Sequence, residues 1–426
     1  MILINNQTKF LSACGLGVFL EFFDFALYAA LSTIIASRFF PSFDDSSALL
    51  LSWGVFACSF IARPIGSVLF GHISDRLGIK RSLTISMVLM SFSTASVGLI
   101  PSYNEIGILA PLLLIFARVV QGVAIAPEYT ASSVYMSLGK NNDRIGFAGS
   151  LTVVAAGLGL WAGGLIMSKL SNGYTVETLP EMRWRLVFIL SGLLVGGFTI
   201  FLRRSMDNRS PQTLEKYPLM GLRNSKKVFA CCTILSGFIG LSSYMIFGFI
   251  SSFLQSYRGV GLYESLSVTT ACTILAVIAA PISGYLSDKF SAVLLLKISL
   301  ISTLVCSVTF FQMISYGDMW VVIFAISLMS IFTGMFSGAF PAFLSTAFPA
   351  SFRATGSSLS HSLGISLFGG TGPLVMSLLY KKFENPVLPA YYLCLFAGLA
   401  LISIVILVKP QKVDFTAPSN IAFDKV

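Results

Sequence analysis

A chain of 426 residues that is 55% hydrophobic and 11% charged, with a mean hydropathy of +0.84, has too little polar surface to cover a water-soluble globule of its size. Composition therefore points to an all-α, multi-pass integral membrane protein and excludes ordinary soluble enzymes and binding modules. The formal net charge of +10 would by itself suit a nucleic-acid partner, but its distribution follows membrane topology and calls for no such partner.

Spans of about 20 apolar residues are predicted near 10–36, 48–71, 82–101, 107–138, 145–168, 184–202, 228–255, 265–287, 292–314, 319–346, 355–379 and 388–408, six in each half of the chain. Most Lys and Arg then fall on one side, in the clusters around Arg76, Lys80 and Arg81, around Lys140 and Arg144, between Arg203 and Lys227, and after Lys409. Short loops rich in Lys and Arg stay in the cytoplasm, which places both termini there. The expected organisation is a six-helix bundle over 1–203, a basic cytoplasmic linker over 204–227, a second six-helix bundle over 228–408 and a short tail over 409–426. The N-terminus has no basic segment followed by a short apolar run and a small-residue cleavage site, so 10–36 reads as a retained first span.

Span 1 contains Glu21, Asp24 and Tyr28, at spacings that put all three on one helical face. Carboxylates in the middle of a span are costly in lipid. They either face a water-filled cavity, where they move ions or bind substrate, or form a structural ion pair. In span 2, Arg63 precedes Pro64, whose ring interrupts the helical hydrogen-bond ladder. Arg63 snorkels, pairs with a carboxylate or lines a cavity. Gly71 and Gly78 then bracket a tight basic connection carrying Asp75, Arg76 and Arg81, which makes spans 2 and 3 antiparallel neighbours. The motif returns as Gly284-Tyr-Leu-Ser-Asp288-Lys289, half a chain length further on, as in transporters built from parallel repeats.

Span 4 holds the strongest polar cluster, Arg118, Gln121 and Glu128, with Pro127 predicted to kink the helix beside Glu128. Span 5 is rich in glycine (Gly146, Gly149, Gly157, Gly159, Gly163, Gly164), a composition that permits close helix approach. The second half offers only neutral or near-neutral candidates, Tyr244 in span 7 and His361 in span 11 among them. Residues 369–373 predict a broken or flexible segment in span 11. The seven cysteines lie in apolar spans without metal-site or disulfide spacing, and no metal or cofactor is expected.

Together these stretches resemble the major facilitator superfamily, and within it the metabolite:proton symporter family. Arg63-Pro64 through Arg81 resembles the superfamily's loop signature, Leu20-Glu21 through Tyr28 the family's first-span motif, and Arg118, Gln121-Gly122 and Glu128 its fourth. Phe348-Pro349, Arg353, Thr355-Gly356 and Phe368 through Pro373 resemble its eleventh-span region. The chain departs from the family at Val18, Pro127, Val153 and His361-Ser362, where members usually carry Asn, Gly, Gln and a Tyr-Asn pair. In the family's fold these positions face the cavity.

The resemblance implies twelve transmembrane helices in two pseudo-symmetric six-helix bundles, a monomer in a bacterial inner membrane that works by alternating access. It implies secondary active uptake of a small carboxylate-bearing metabolite, an organic acid or a zwitterion, coupled to protons; export of a siderophore, drug or metabolite is the alternative. An enzyme is not expected, since no nucleophile–base pair or metal cluster is visible in the sequence. On this reading Glu21, Asp24 and Glu128 carry protons. Tyr28, Arg63, Arg118, Gln121, Tyr244 and His361 bind substrate. Gly71, Asp75, Arg76, Gly78, Arg81 and Asp288 form the conformational gate, with Asp75 expected to matter more than Asp288.

Overall fold

The computed structural model describes residues 6–77, 79–125, 144–205, 225–349 and 353–408. Each of the twelve expected spans appears as a helix or as helices in series. Among the described residues, nine helical runs are long and apolar enough to cross a membrane, a bent pair makes a tenth, and two shorter apolar helices complete the set. The surface is inverted relative to a soluble protein: Val68 and Phe92 are each 72% exposed, while Glu21, Asp24 and Arg118 are fully buried. Apolar side chains face the lipid, and polar ones face other helices.

The first span is the bent pair, α1 (Asn6–Ala30) and α2 (Ser32–Phe39), which meet at 59°. Span 2 is α3 (Asp45–Ile61) followed by α4 (Arg63–Leu77), with a one-residue interruption at Ala62 just before Arg63-Pro64. Proline cannot donate to the ladder, and Ala62 closes α3 on the Cys58 and Phe60 carbonyls instead. Spans 3 and 4 are α5 (Ile79–Leu99) and α7 (Leu109–Ile125), joined through the short α6 (Tyr103–Ile106); spans 5 and 6 are α8 (Ile145–Ser171) and α9 (Glu181–Ser205).

In the second half, span 7 runs through α10 (Lys226–Tyr244), a π-helical turn (Met245–Phe249) and α11 (Ile250–Arg258). Spans 8 to 10 are α12 (Leu262–Lys289), α13 (Ala292–Tyr316) and α14 (Met319–Ala347). Span 11 runs through α15 (Arg353–Gly364), a second π-helical turn (Ile365–Gly369) and α16 (Gly372–Phe383), and span 12 is α17 (Leu388–Val408). The break expected at 369–373 is real, but it is an extra-residue π turn followed by a restart with Pro373 in the first turn of α16.

One expectation is corrected. The connection between spans 2 and 3 does not occupy 71–78: α4 stays helical through Gly71, Asp75 and Arg76 to Leu77, and α5 begins at Ile79. The helix outlasts the apolar stretch because nothing between Gly71 and Leu77 is a strong helix breaker. Gly78 itself lies outside the described residues, and Arg81 sits exposed near the start of α5.

The two halves meet through α8 against α12 and through span 2 against span 11. The glycines of α8 let it pack closely on two sides: a Cβ at Gly163 would come within 2.6 Å of Ala26 Cβ on α1, and one at Gly157 within 2.7 Å of Val277 on α12. At the end that carries Arg144 and Lys289, Asp288 accepts hydrogen bonds from the first backbone amides of α8, Gly146 N at 2.6 Å and Phe147 N at 2.9 Å. At the opposite end Lys381 donates to Asp44 at 3.3 Å and also reaches Ser47 Oγ. There Thr33 Oγ1 also donates to Gln255 at 2.9 Å, and the Ser168 and Ser267 hydroxyls are hydrogen-bonded to each other at 2.7 Å. Both ends are therefore tied in the same structure.

Two predictions come from these ties. A carboxylate at an exposed helix N-terminus gains about 0.3–1 kcal/mol, so Asp288→Asn is expected to shift any balance between tied and parted ends by two- to fivefold towards parted. Spin-label distances between the Arg144 end of α8 and the Lys289 end of α12 test this, and unchanged distance distributions would rule it out. At the other end, hydrogen bonds from the Ser46 and Ser47 hydroxyls and the Ser47 amide, with Lys381 alongside, hold the Asp44 carboxyl well below its usual range. A depressed folded-state value means the tie is present above the ordinary carboxylate range and is lost only as pH falls far beneath it. Between pH 5 and 8 the midpoint of any transport pH profile should thus be the same in wild type and Asp44→Asn; a displaced midpoint would contradict the assignment.

Candidate functional site

Where the halves face each other in mid-membrane, spans 1, 2 and 5 of the first half and 7, 8, 10 and 11 of the second enclose a cavity of about 70 Å³. One water needs roughly 10–15 Å³ by this measure, so the space holds several waters or a small solute. Its walls are mostly apolar, with Val153, Leu160, Ile239 and Val277 among them, and its polar lining includes Arg63, Ser243, Tyr244, Thr333, Ser337 and His361.

The charged residues of the first half sort into two clusters. In the first, Arg63 Nη2 donates to Glu21 Oε1 at 2.8 Å, and its guanidinium lies 4.6 Å from the Phe60 ring centre and 5.0 Å from that of Phe25. In the second, Arg118 Nη1 donates to Asp24 Oδ2 at 3.2 Å and to Gln121 Oε1 at 2.6 Å. Gln121 Nε2 in turn donates to Asp24 Oδ2 and to Thr94 Oγ1 at 2.7 Å. Arg118 also lies 4.0 Å above the ring of Tyr28, whose hydroxyl donates to the Ser52 carbonyl at 3.0 Å. Buried charges endure in such places only when paired and hydrogen-bonded, and both pairs meet that condition.

Rings join the two clusters. Tyr28 stacks on Phe56, Phe56 lies 4.9 Å from Phe60, and Phe60 stacks on Phe25 at 4.9 Å. Tyr244 of the second half meets this group edge-on, 4.9 Å from Phe60 and 5.7 Å from Phe56. Span 11 can approach because residue 370 is glycine: a Cβ there would collide with Phe60.

The shared face of span 1 thus divides, Glu21 pairing with span 2 and Asp24 and Tyr28 with span 4. Of the residues expected to bind substrate, Arg63, Tyr244 and His361 line the cavity; Tyr28, Arg118 and Gln121 are fully buried behind it. Glu128 lies outside the described residues. Two of the departures from the family pattern, Val153 and His361, also line the cavity, whereas Val18 is buried elsewhere. Thr94, Phe60 and the cavity-lining Phe22 and Phe247 had no signal in the sequence, because single hydroxyls and phenylalanines are common in any span.

Comparison with known proteins agrees with this architecture. The family model described as the Major Facilitator Superfamily matches residues 14–364 and 232–420. The glycine betaine/proline/ectoine/pipecolic acid transporter OusA of Dickeya dadantii (strain 3937) is 27% identical over 414 residues, covering 93% of this chain and 82% of that protein. The proline/betaine transporter of Escherichia coli (strain K12) is 26% identical over 412 residues, with the same coverages of 93% and 82%. The crystal structure of a D-xylose-proton symporter superposes with a TM-score of 0.74 at 17% identity, over 94% of this chain and 97% of that one, a likeness of fold.

Removing one partner of a buried ion pair strands the other, at a cost of about 3–5 kcal/mol, whereas neutralising both is far milder. Asp24→Ala is accordingly expected to lower the unfolding temperature of the detergent-purified protein strongly, and Asp24→Asn with Arg118→Gln to recover most of the loss. Equal destabilisation by the single and the double change would show that the pair does not carry this energy.

Proposed function

The chain belongs to the Major Facilitator Superfamily and is a secondary transporter of the multi-pass membrane type, and we propose that it takes up a small carboxylate-bearing metabolite together with protons. The observation that carries this reading is the burial of two carboxylate–guanidinium pairs at and behind a cavity between the halves. A guanidinium grips a carboxylate through two parallel hydrogen bonds, which suits an organic acid or the acid end of a zwitterion. A carboxylate in a water-poor site can exchange its ion pair for a proton, so Glu21 and Asp24, with Glu128, are assigned as the proton carriers. Arg118 is then the charge partner that Asp24 leaves when protonated.

The route is alternating access, with substrate bound at the interface of the halves and the ties at each end released in turn. We divide the chain into bundles over 1–203 and 228–408, joined by the linker over 204–227. The relatives named above are bacterial, which supports a bacterial plasma membrane, and the Lys and Arg distribution supports both termini in the cytoplasm.

The test is uptake into proteoliposomes under an imposed pH gradient, across a panel of organic acids and zwitterions. Wild type should concentrate at least one of them, and collapse of the gradient should end accumulation. Asp24→Asn should lose accumulation but keep exchange of labelled for unlabelled substrate. Accumulation by Asp24→Asn equal to wild type would sink its role, and wild-type uptake indifferent to the gradient would sink proton coupling.

A further inference from the structure

Of the two buried pairs, only Glu21–Arg63 touches the cavity. Arg63 is part of its lining, while Asp24, Arg118 and Gln121 are not. The Arg63–Glu21 contact uses one nitrogen and one oxygen. Arg63 Nε and Glu21 Oε2 are buried without a hydrogen-bond partner among the described residues. The guanidinium can therefore donate further, and the carboxylate can accept further or, once protonated, donate. Among the described residues, no other Lys or Arg and no Asp or Glu lines the cavity.

We propose that Arg63 seats the carboxylate of the substrate, that Glu21 is the competitor this carboxylate displaces, and that the cavity accepts monoanions with a single carboxylate, each entering with one proton. The inference rests on the transporter reading above and gives the Glu21–Arg63 pair the step at which substrate and proton meet.

Charge balance leads to it. The empty site is neutral, one guanidinium against one carboxylate. Bringing the carboxylate of a monoanion to Arg63 leaves two anions facing one cation among apolar walls, and an unpaired buried charge is expensive; a zwitterion brings its own cation and calls for no proton. A proton on Glu21 restores neutrality. An O–H bond forms on the Glu21 carboxyl, the ionic hydrogen bond from Arg63 Nη2 to Oε1 is released, and the substrate carboxylate accepts the guanidinium N–H groups in its place. The proton is drawn from the side that the substrate enters and departs after it on the other, when Glu21 recaptures Arg63. A substrate with two carboxylates would bring a charge for which the lining holds no cation.

Among the described residues, the charged and titratable groups around Glu21 are Arg63 on α4, Asp24 one turn along its own helix and, across the cavity, Tyr244 on α10 and His361 on α15. Asp24 is bonded to Arg118 and Gln121 and does not reach Arg63. Phe25 and Phe60 hold the guanidinium through their ring faces, which keeps it in place while its carboxylate partner changes.

The experiment uses full-length protein in liposomes and measures binding by scintillation proximity between pH 5 and 9. Probes are labelled L-proline, glycine betaine and lactate, each with one carboxylate, and succinate with two. In wild type, affinity for the monoanion lactate should fall at least tenfold as pH rises through this range while that for the two zwitterions changes less, and succinate should bind at least tenfold more weakly than lactate. Glu21→Gln should bind the same probe with no pH dependence, exchange it, and fail to accumulate it. Arg63→Gln alone strands a buried carboxylate, so the double variant Glu21→Gln with Arg63→Gln is the informative one, and it should bind at least tenfold more weakly at every pH. Wild-type pH dependence persisting in Glu21→Gln would overturn this inference and leave gradient-driven uptake standing. So would unweakened binding in the double variant, or succinate equal to the single-carboxylate probes. If wild type binds none of the four probes, both this inference and the carboxylate reading fall.

Discussion

Everything in the middle of this molecule is arranged around the cost of burying a guanidinium. Arg63 and Arg118 are both buried, the first at the edge of the cavity and the second behind it, and each is met by a carboxylate from the same helix, α1. Glu21 and Asp24 are three residues apart, so they point in neighbouring directions and reach different partners: span 2 on one side, span 4 on the other. One helix thereby fixes the positions of two others through charge, and the aromatic rings of Phe25, Tyr28, Phe56 and Phe60 fill the space between. The second half contributes no charge to this arrangement among the described residues. It contributes a ring, Tyr244, and an imidazole, His361, which share the cavity wall with Arg63.

Much of the fold was legible in the sequence because membrane burial leaves a strong one-dimensional signal. Runs of apolar residues long enough to cross a bilayer mark the spans, and glycine in span 5 announces the helix that must pass between two neighbours. The site was legible as an inventory: Glu21, Asp24, Arg63, Arg118 and Gln121 stand out because ionisable residues are rare at such depth. Their partners were not. Spacing along one helix says which residues share a face, but not which helix lies opposite, and the division of span 1 between Arg63 and Arg118 depends on that. The length of α4 was misread for a related reason. The apolar stretch ends near Gly71, yet a helix is held by its backbone ladder and continues past the point where its sequence turns polar.

The two π-helical turns were likewise beyond reach of periodicity, since each is a single extra residue in an otherwise helical run. Both lie in the second half, at the level of the cavity, and both contribute lining: Phe247 from the first turn and Ile365 from the second. A π turn leaves a local register change that an all-α helix would not tolerate without cost, and such turns concentrate where a helix must present a side chain out of phase. Each is followed by a shorter helix, α11 or α16, and the far parts of those helices carry Gln255 and Lys381, both of which make polar contacts to the first half. The lining of the cavity and the ties at that end are thus parts of the same two helical runs.

The distribution of polar contacts between the halves then limits how they can move. At the Arg144 and Lys289 end the halves are joined by Asp288 on the amides of α8 and by Ser67 within 3.4 Å of Ser362. At the other end they are joined by Thr33 with Gln255, Ser168 with Ser267, and Lys381 with Asp44 and Ser47. An intramolecular hydrogen bond contributes about 0.5–1.5 kcal/mol net when neutral and about 1.5–3 kcal/mol when one partner is charged, and each end combines both kinds, so the few bonds among the described residues set comparable, modest barriers. The long seam of α8 with α12, packed closely at the glycines of α8, can serve as a sliding surface, because the dispersion attraction given up on one side is recovered on the other. Few bonds at each end, a smooth seam between them and a paired charge at the centre give a body whose two ends can be released separately.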